Sequence, residues 1–355
     1  DMYLDASGEP IPDASIAGYT AVGVPGTVLG LEAMREAYGT MSREALLAPA
    51  IRYARDGFVL DEADAAFLAM AEEELKGQAN VEAIFFRDGA PLKAGDRLVQ
   101  ADLAATLQSV SEGGAGAFYD GPIAAKVVAA SEANGGILAL RDFADYTVRE
   151  VEPLRCGYRD YEIISAPPPS SGGTTICEIL NVVEAWPIGE MGFGSSRAVH
   201  LLAEAMRHAF VDRNFLLGDP DFVTNPVDRL VSDAYAATIR AAIDPAKATK
   251  SEDVQPGVPP HESTETTHYS VVDKEGNAVS VTYTINGLFG AKVIAGDTGF
   301  FLNNEMDDFT TRPGAANMFG LVQGEKNAIA PGKRPLSSMS PTIVTKDGAL
   351  FMVTG

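Results

Sequence analysis

Residues 263–286 read Ser263-Thr264-Glu265-Thr266-Thr267-His268-Tyr269-Ser270-Val271-Val272-Asp273-Lys274-Glu275-Gly276-Asn277-Ala278-Val279-Ser280-Val281-Thr282-Tyr283-Thr284-Ile285-Asn286. Two runs of β-forming residues, Thr267 to Val272 and Ala278 to Ile285, flank the turn-forming Asp273-Lys274-Glu275-Gly276-Asn277, so the stretch predicts a hairpin. Alternation along a strand places Thr266, His268 and Ser270 on one face and Thr267 on the other. The preceding segment, Asp244 to Glu265, is rich in Pro, Ser, Thr, Glu and Asp and reads as an exposed linker. A linker that enters a strand at a hydroxyl residue has a chemical consequence. Cleavage before Thr266 would put a free α-amine beside that residue's own hydroxyl. Such an amine has a pKa of about 7.7 to 8.0, so a useful fraction is neutral at pH 7. It can take the hydroxyl proton directly or through a water, and one residue then provides both nucleophile and base.

Downstream, Ile343 to Thr345 and Leu350 to Val353 flank a second turn, Lys346-Asp347-Gly348. Residues 266–355 therefore read as a sheet-forming unit, joined by the linker to a helical one. Ser42 caps a predicted helix running to Gly57, with Leu46, Ala50 and Tyr53 on one face. Asp61 starts another, through Phe67, Met70 and Leu75. Pro122 starts a third, with Ile123, Val127 and Ala130 inward and Asn134-Gly135-Gly136 stopping it. Ser196 precedes a fourth, striped by Val199, Leu202, Met206 and Phe210. His200 and His208 lie on it without the carboxylate pattern of a zinc-binding helix, and read as ordinary helix residues. A short strand, Tyr161 to Ser165, leads through Ala166-Pro167-Pro168-Pro169-Ser170-Ser171-Gly172-Gly173 to a helix starting near Thr174. By spacing alone this proline-rich run reads as a stiff connector, with a Gly-rich turn at a helix N-terminus that could approach a ligand as the alternative, and it lacks the Lys-Ser/Thr ending of a phosphate loop. Helices packed on sheets is the predicted architecture.

The 355 residues hold 27 Lys plus Arg against 49 Asp plus Glu, a net charge of −22. With 46% hydrophobic residues, the chain is not an intrinsically disordered tail. Its acidity argues against nucleic acid or an anionic membrane as partner, because phosphates repel such a surface. No run of about eighteen apolar residues appears. Cys156 and Cys177 cannot form a disulfide framework or a cysteine zinc site; they read as two small buried hydrophobes, with a single disulfide as the alternative. There is no Gly-x-Ser-x-Gly elbow and no His-Glu-x-x-His, and four histidines give no support to a serine triad. The chain starts at Asp1 and ends inside the strand-like Ala349-Leu350-Phe351-Met352-Val353-Thr354-Gly355, so it is expected to be an excerpt of a longer protein.

Several blocks together resemble the γ-glutamyltransferase (γ-glutamyltranspeptidase) family. They are Thr266 to Asp273, Gly276 to Val279, Thr282 to Asn286, Asn303-Asn304-Glu305-Met306-Asp307-Asp308-Phe309 and Lys333-Arg334-Pro335-Leu336-Ser337-Ser338-Met339-Ser340-Pro341-Thr342. Upstream, Pro25 to Val28, Ala54 to Phe58, Pro167 to Gly173 and Gly218 to Phe222 look like large-subunit landmarks, so the resemblance spans the whole chain in order. It implies an α+β fold, the four-layer αββα sandwich of N-terminal nucleophile hydrolases. It implies a precursor cut at the Glu265–Thr266 bond into a large-subunit segment, 1–265, and a small-subunit segment, 266–355, that together form one domain. The implied activity is transfer of the γ-glutamyl group of glutathione and related amides to water, an amino acid or a peptide, through a γ-glutamyl-threonine ester and without cofactor or metal. Thr266 matches the nucleophile and Thr284 the hydroxyl that supports it. Glu305, Asp308 and Asn286 match the contacts to the substrate's α-ammonium, and Ser337 and Ser338 those to its α-carboxylate. By the same resemblance the protein is periplasmic or secreted.

Three departures stand beside these matches. The family's carboxylate-binding Arg falls upstream of Asp1, and its oxyanion-hole glycines fall beyond Gly355. A lid position that is often Tyr is Phe319, which cannot hydrogen-bond to Asn286; this implies a looser lid and a shifted balance of hydrolysis over transfer. Two other readings compete. One is a non-catalytic or unprocessed homologue that binds γ-glutamyl compounds. The other is a related acylase for glutaryl side chains or a depolymerase of poly-γ-glutamate, against which the Glu305 and Asp308 pair argues, since a glutaryl group carries no ammonium.

Overall fold

The computed structural model describes residues 2–250, 254 and 266–355. Glu265 and most of the expected linker, residues 244–265, lie outside the described residues. The chain forms two compact units interleaved along the sequence: a helical unit of Pro12–Glu150 and Ile285–Met306, and a sheet unit of Asp1–Ile11, Val151–Thr284 and Asp307–Gly355.

The helical unit carries α1 (Thr27–Tyr38), α2 (Arg43–Asp56), α3 (Glu62–Met70), α4 (Glu72–Leu75), α5 (Ala79–Phe85), α6 (Ala101–Tyr119), α7 (Pro122–Ala133) and α8 (Leu140–Ala144). Two short ribbons accompany them, β1 (Phe58–Val59) with β4 (Arg97–Leu98), and β2 (Phe86–Arg87) with β3 (Ala90–Pro91). The helix starts are where cap chemistry puts them. The Ser42 hydroxyl accepts from Ala45 N at 3.2 Å. Asp61 accepts from Ala63 N and Asp64 N, and Asp64 reaches back to Asp61 N, a reciprocal capping box. Phe118, Ile123, Val127 and Phe143 form the core with Val293 and Leu302, and Leu68, Leu75, Val81 and Phe85 form a second cluster with Ile294. Each large apolar side chain so buried contributes roughly 1.5–3 kcal/mol.

Two expected stripes are displaced by about one residue. On α2, Leu46 and Tyr53 are exposed while Ile51 and Ala54 are buried; on α3, Phe67 and Met70 are exposed while Leu68 is buried. These helices have apolar residues on more than one face, so periodicity alone leaves the buried face undetermined.

The sheet unit contains β5 (Leu154–Tyr158), β6 (Tyr161–Ser165), α9 (Gly172–Val183), α10 (Ser196–Leu216), α11 (Val227–Leu230), α12 (Asp233–Ala242), β7 (Thr267–Val272), β8 (Ala278–Tyr283), β9 (Thr342–Lys346) and β10 (Ala349–Thr354). One antiparallel sheet runs β10-β9-β6-β5. Sheet formation is thus not confined to 266–355: β6 from upstream pairs along its length with β9, Ile163 opposite Val344. An unpaired β6 edge would strand a row of backbone donors and acceptors, which β9 satisfies. On one side α9 packs on β5 and β6, backed by α10 and α12. There Val182, Leu201, Ala205, Ala236 and Ile239 meet. The stripe predicted on α10 is again shifted: Val199 is exposed, and the small Ala198, Ala205 and Ala209 let neighbouring helices approach. His200 bonds the Asp244 carbonyl through Nε2 at 2.8 Å.

The two cysteines are not isolated hydrophobes. Cys156 on β5 and Cys177 on α9 form a disulfide, with Cα atoms 6.0 Å apart. The pairing needs β5 beneath α9, which no spacing in the sequence reveals. A crosslink closing a loop of this size is worth about 3 kcal/mol by restricting the unfolded chain.

The β7–β8 ribbon is in contact with β9 and β10. Its polar face turns inward. Ser280 Oγ accepts from Thr342 N at 3.0 Å and donates to Thr354 O at 2.8 Å. Tyr269, Val271, Val279 and Tyr283, on the alternate positions, are exposed.

One buried acid carries a prediction. Glu178 on α9 is 1% exposed, and its Oε1 has no hydrogen-bond partner among the described residues. Burial, and then Asp212, push its carboxyl far above the ordinary range, opposed by Arg229. Tyr235 donates to Asp212 Oδ2 at 2.7 Å. The native state therefore holds a proton that the unfolded chain has released, and stability falls as pH rises from the ordinary carboxyl range through the raised one. Glu178→Gln is expected to raise the thermal midpoint at pH 8 by about 3 °C, with little change at pH 4.5. Equal midpoints at pH 8 would count against an ionising Glu178.

Candidate active site

The hairpin register builds the first group. Thr267 lies opposite Tyr283, His268 opposite Thr282 and Ser270 opposite Ser280. One step further toward the strand start, Thr266 Oγ1 donates to Thr284 Oγ1 at 3.5 Å, the long end of hydrogen bonding. Thr266 is exposed. His268, on the same face, does not turn toward it: Nδ1 bonds Thr282 Oγ1 at 2.7 Å and Nε2 bonds Ser270 Oγ at 3.1 Å. With both imidazole nitrogens engaged, an α-amine at Thr266 is the base best placed for its own hydroxyl.

A second group joins two distant loops. Ser170 and Ser337 form a parallel bridge. Ser337 N donates to Pro169 O at 2.9 Å, and Ser171 N and Oγ both donate to Ser337 O at 2.8 Å. The proline-rich run is therefore more than a connector, because it holds the Ser337–Ser340 backbone in place. Its glycines allow the approach: a Cβ on Gly172 would stand 2.6 Å from Met339 O, and one on Gly173 2.4 Å from Ala166 O. Across this junction lies Arg213 from α10. Its Nε donates to Ser171 Oγ at 3.2 Å, and its Nη2 to Ser338 Oγ at 2.9 Å and Leu336 O at 3.4 Å. Asp308 acts on Arg213 electrostatically. Burial and Asp307 push the Asp308 carboxyl up, and Arg213 opposes them.

Glu305–Asp308 make one turn of 3-10 helix. Asp307, buried, accepts from Met318 N at 2.9 Å. Asn317 Oδ1 accepts from Phe319 N at 3.1 Å and Leu321 N at 3.0 Å. The loop bearing Phe319 is thus tied to the acidic turn through Asp307, the member of that turn not singled out in the sequence.

Asn286 and Glu305 belong to the helical unit. Asn286 is buried, with φ 72°, a left-handed conformation that Asn tolerates. Its Nδ2 donates to Asn304 O at 3.0 Å, and Asn304 Oδ1 accepts from Gly287 N at 2.8 Å. Asn303 Oδ1 accepts from Gly23 N at 2.9 Å and Glu305 N at 3.0 Å. The paired asparagines therefore fix the backbone that presents Asn286 and Glu305.

Sequence reasoning missed Arg213 and Ser171. Arg213, between Asp212 and Asn214, looks like one more charge on a wet helix face, and only the packing of α10 shows it to be buried. Among the described residues no group of three or more His, Cys, Asp or Glu is placed to hold a metal ion, and no helix is long and apolar enough to cross a membrane.

The chain is 57% identical over its full length to a glutathione hydrolase proenzyme of Pseudomonas sp. (strain A14), of which the match covers 62%. It thus spans about three-fifths of that relative's length. Helicobacter pylori gamma-glutamyltranspeptidase has a similar structure, with TM-score 0.70 and 41% identity over 72% of this chain and 73% of that one. A cephalosporin acylase from Bacillus halodurans superposes with TM-score 0.80 at 26% identity, over 95% of this chain and 60% of that one. The fold is accordingly the α+β sandwich of the N-terminal nucleophile hydrolases. The family model for gamma-glutamyltranspeptidase matches residues 1–355, and the chain belongs to that family.

Proposed function

We propose that this chain is the catalytic part of a γ-glutamyl hydrolase and transferase that acts on glutathione and related amides. The observation that carries the reading is the Thr266–Thr284 hydroxyl pair at the mouth of the hairpin. In the precursor, Thr266 Oγ1 attacks the carbonyl carbon of Glu265, and the peptide nitrogen departs as the α-amine of Thr266. Water hydrolyses the resulting ester and leaves two segments, 1–265 and 266–355 within this chain. In the mature enzyme the neutral α-amine takes the proton of Oγ1, which attacks the γ-carbonyl of the substrate. The same proton then goes to the departing amine. Water or the amine of an amino acid or peptide resolves the γ-glutamyl ester. Thr284 orients Oγ1.

The far end of the substrate carries an ammonium and a carboxylate. Glu305, Asp308 and Asn286 would receive the first by charge-assisted hydrogen bonds, and Ser337 and Ser338 the second. Phe319 on its tied loop would cover the site without a hydrogen bond to Asn286, favouring hydrolysis over transfer. Exported bacterial enzymes meet such substrates in the periplasm or medium, and we place this protein there.

Purified full-length protein is expected to resolve into two fragments. The smaller should begin at Thr266 on N-terminal sequencing and release the chromophore of γ-glutamyl-p-nitroanilide. A single uncut chain with full activity would sink the mechanism. The likeness to the cephalosporin acylase supports a second reading, an acylase of glutaryl amides. Faster turnover of glutaryl-p-nitroanilide than of its γ-glutamyl counterpart would favour it.

A further inference from the structure

Arg213 is 2% exposed, and burial lowers its guanidinium only to about 10, so it is a buried cation at neutral pH. Such a charge costs several kcal/mol to desolvate unless it is compensated. Among the described residues no carboxylate oxygen lies within 4.0 Å of its nitrogens; it is held by Ser171 Oγ, Asn214 Oδ1, Leu336 O and Ser338 Oγ. These acceptors belong to α10 itself and to the two loops that meet at Ser170 and Ser337.

The direction of the bond to Ser338 matters. A guanidinium can only donate, so Ser338 Oγ accepts from Nη2 and its own proton is left to be donated elsewhere. A hydroxyl that accepts from a cation is also a stronger donor to an anion. The same cation is the opposite charge that bears on Asp308. We propose that Arg213 is a positioning residue of the γ-glutamyl pocket: braced on Ser171, it aims the Ser338 hydroxyl at the substrate carboxylate. This rests on the role given above to Ser338. The planar fork is required, because a lysine at this depth could supply the charge but not the simultaneous bonds to Ser171 and Ser338.

The charged groups that bear on Asp308 are Arg213, from α10, and Asp307, from its own turn; Tyr3 lies electrostatically against Asp307.

The test compares the full-length processed wild type with Arg213→Lys and Arg213→Met, using γ-glutamyl-p-nitroanilide from pH 5 to 9. Arg213→Lys is expected to raise KM about tenfold, with kcat within about threefold, and Arg213→Met is expected to raise KM further. A general structural defect would instead lower kcat and leave KM unchanged. Ser338→Ala and Asp308→Asn are measured alongside. If both leave KM unchanged, the assignment of the pocket fails, and this inference with it. If they raise KM while Arg213→Lys does not, only the role of Arg213 is overturned. Arg213→Lys alone decides the matter should Arg213→Met not fold.

Discussion

Thr266→Ala in the full-length protein is expected to give a single uncut chain and to lower kcat on the order of 10⁵-fold or more. The size follows from the double use of one residue. Its hydroxyl is proposed to cut the chain and later to carry the γ-glutamyl group, and its nitrogen is the base only after the cut. Alanine removes the oxygen, so neither step has a nucleophile. Thr266→Ser keeps an Oγ and an α-amine, and is expected to be cut and to turn over at a reduced rate. Thr284→Val removes the partner 3.5 Å away and is expected to slow both steps by about 10- to 100-fold, since the nucleophile itself remains. Gel electrophoresis with N-terminal sequencing, together with γ-glutamyl-p-nitroanilide kinetics, reads all three. A Thr266→Ala protein that is cut normally would transfer the role to another residue.

The second large effect is expected at Asp308. Exchanging it for Asn preserves shape and removes charge. Removing one partner of a desolvated charge pair costs about 2–5 kcal/mol, so KM for the γ-glutamyl substrate should rise about 30-fold or more, with a smaller change in kcat. The wild-type pH dependence has a definite sign. Burial and Asp307 hold the Asp308 carboxyl above the usual range against Arg213. Ammonium binding is therefore complete above that raised value and is lost as pH falls through it. Asp308→Asn should lack this acid limb altogether. The glutaryl substrate has no ammonium, so its KM should change little. An equal loss for both substrates would show that Asp308 shapes the pocket rather than recognising the ammonium.

The local chemistry was legible in the chain itself. The Asp273–Asn277 turn, the alternation on either side of it and the caps at Ser42 and Asp61 are short-range features, and the structure has them at those residues. The same is true of the β6 limits, Tyr161 to Ser165. Backbone hydrogen bonding and the steric preferences of neighbouring residues decide such features, and both act within a few positions. The resemblance, rather than the turn, singled out Thr284, and the hairpin register then brings its hydroxyl to 3.5 Å from that of Thr266.

Packing decided what sequence could not. Leu46 and Tyr53 could not be told from Ile51 and Ala54 as the buried side of α2, since burial depends on which neighbour arrives. Cys156 and Cys177 became a disulfide only because β5 lies under α9. Ser171, Ser337 and Arg213 lie far apart in the chain, and the closure of two loops around a buried guanidinium brings them together. Covalent neighbours determine where strands begin and which hydroxyl a cut would expose. Desolvation and long-range contact determine which charges end up facing one another, and those depend on the whole fold.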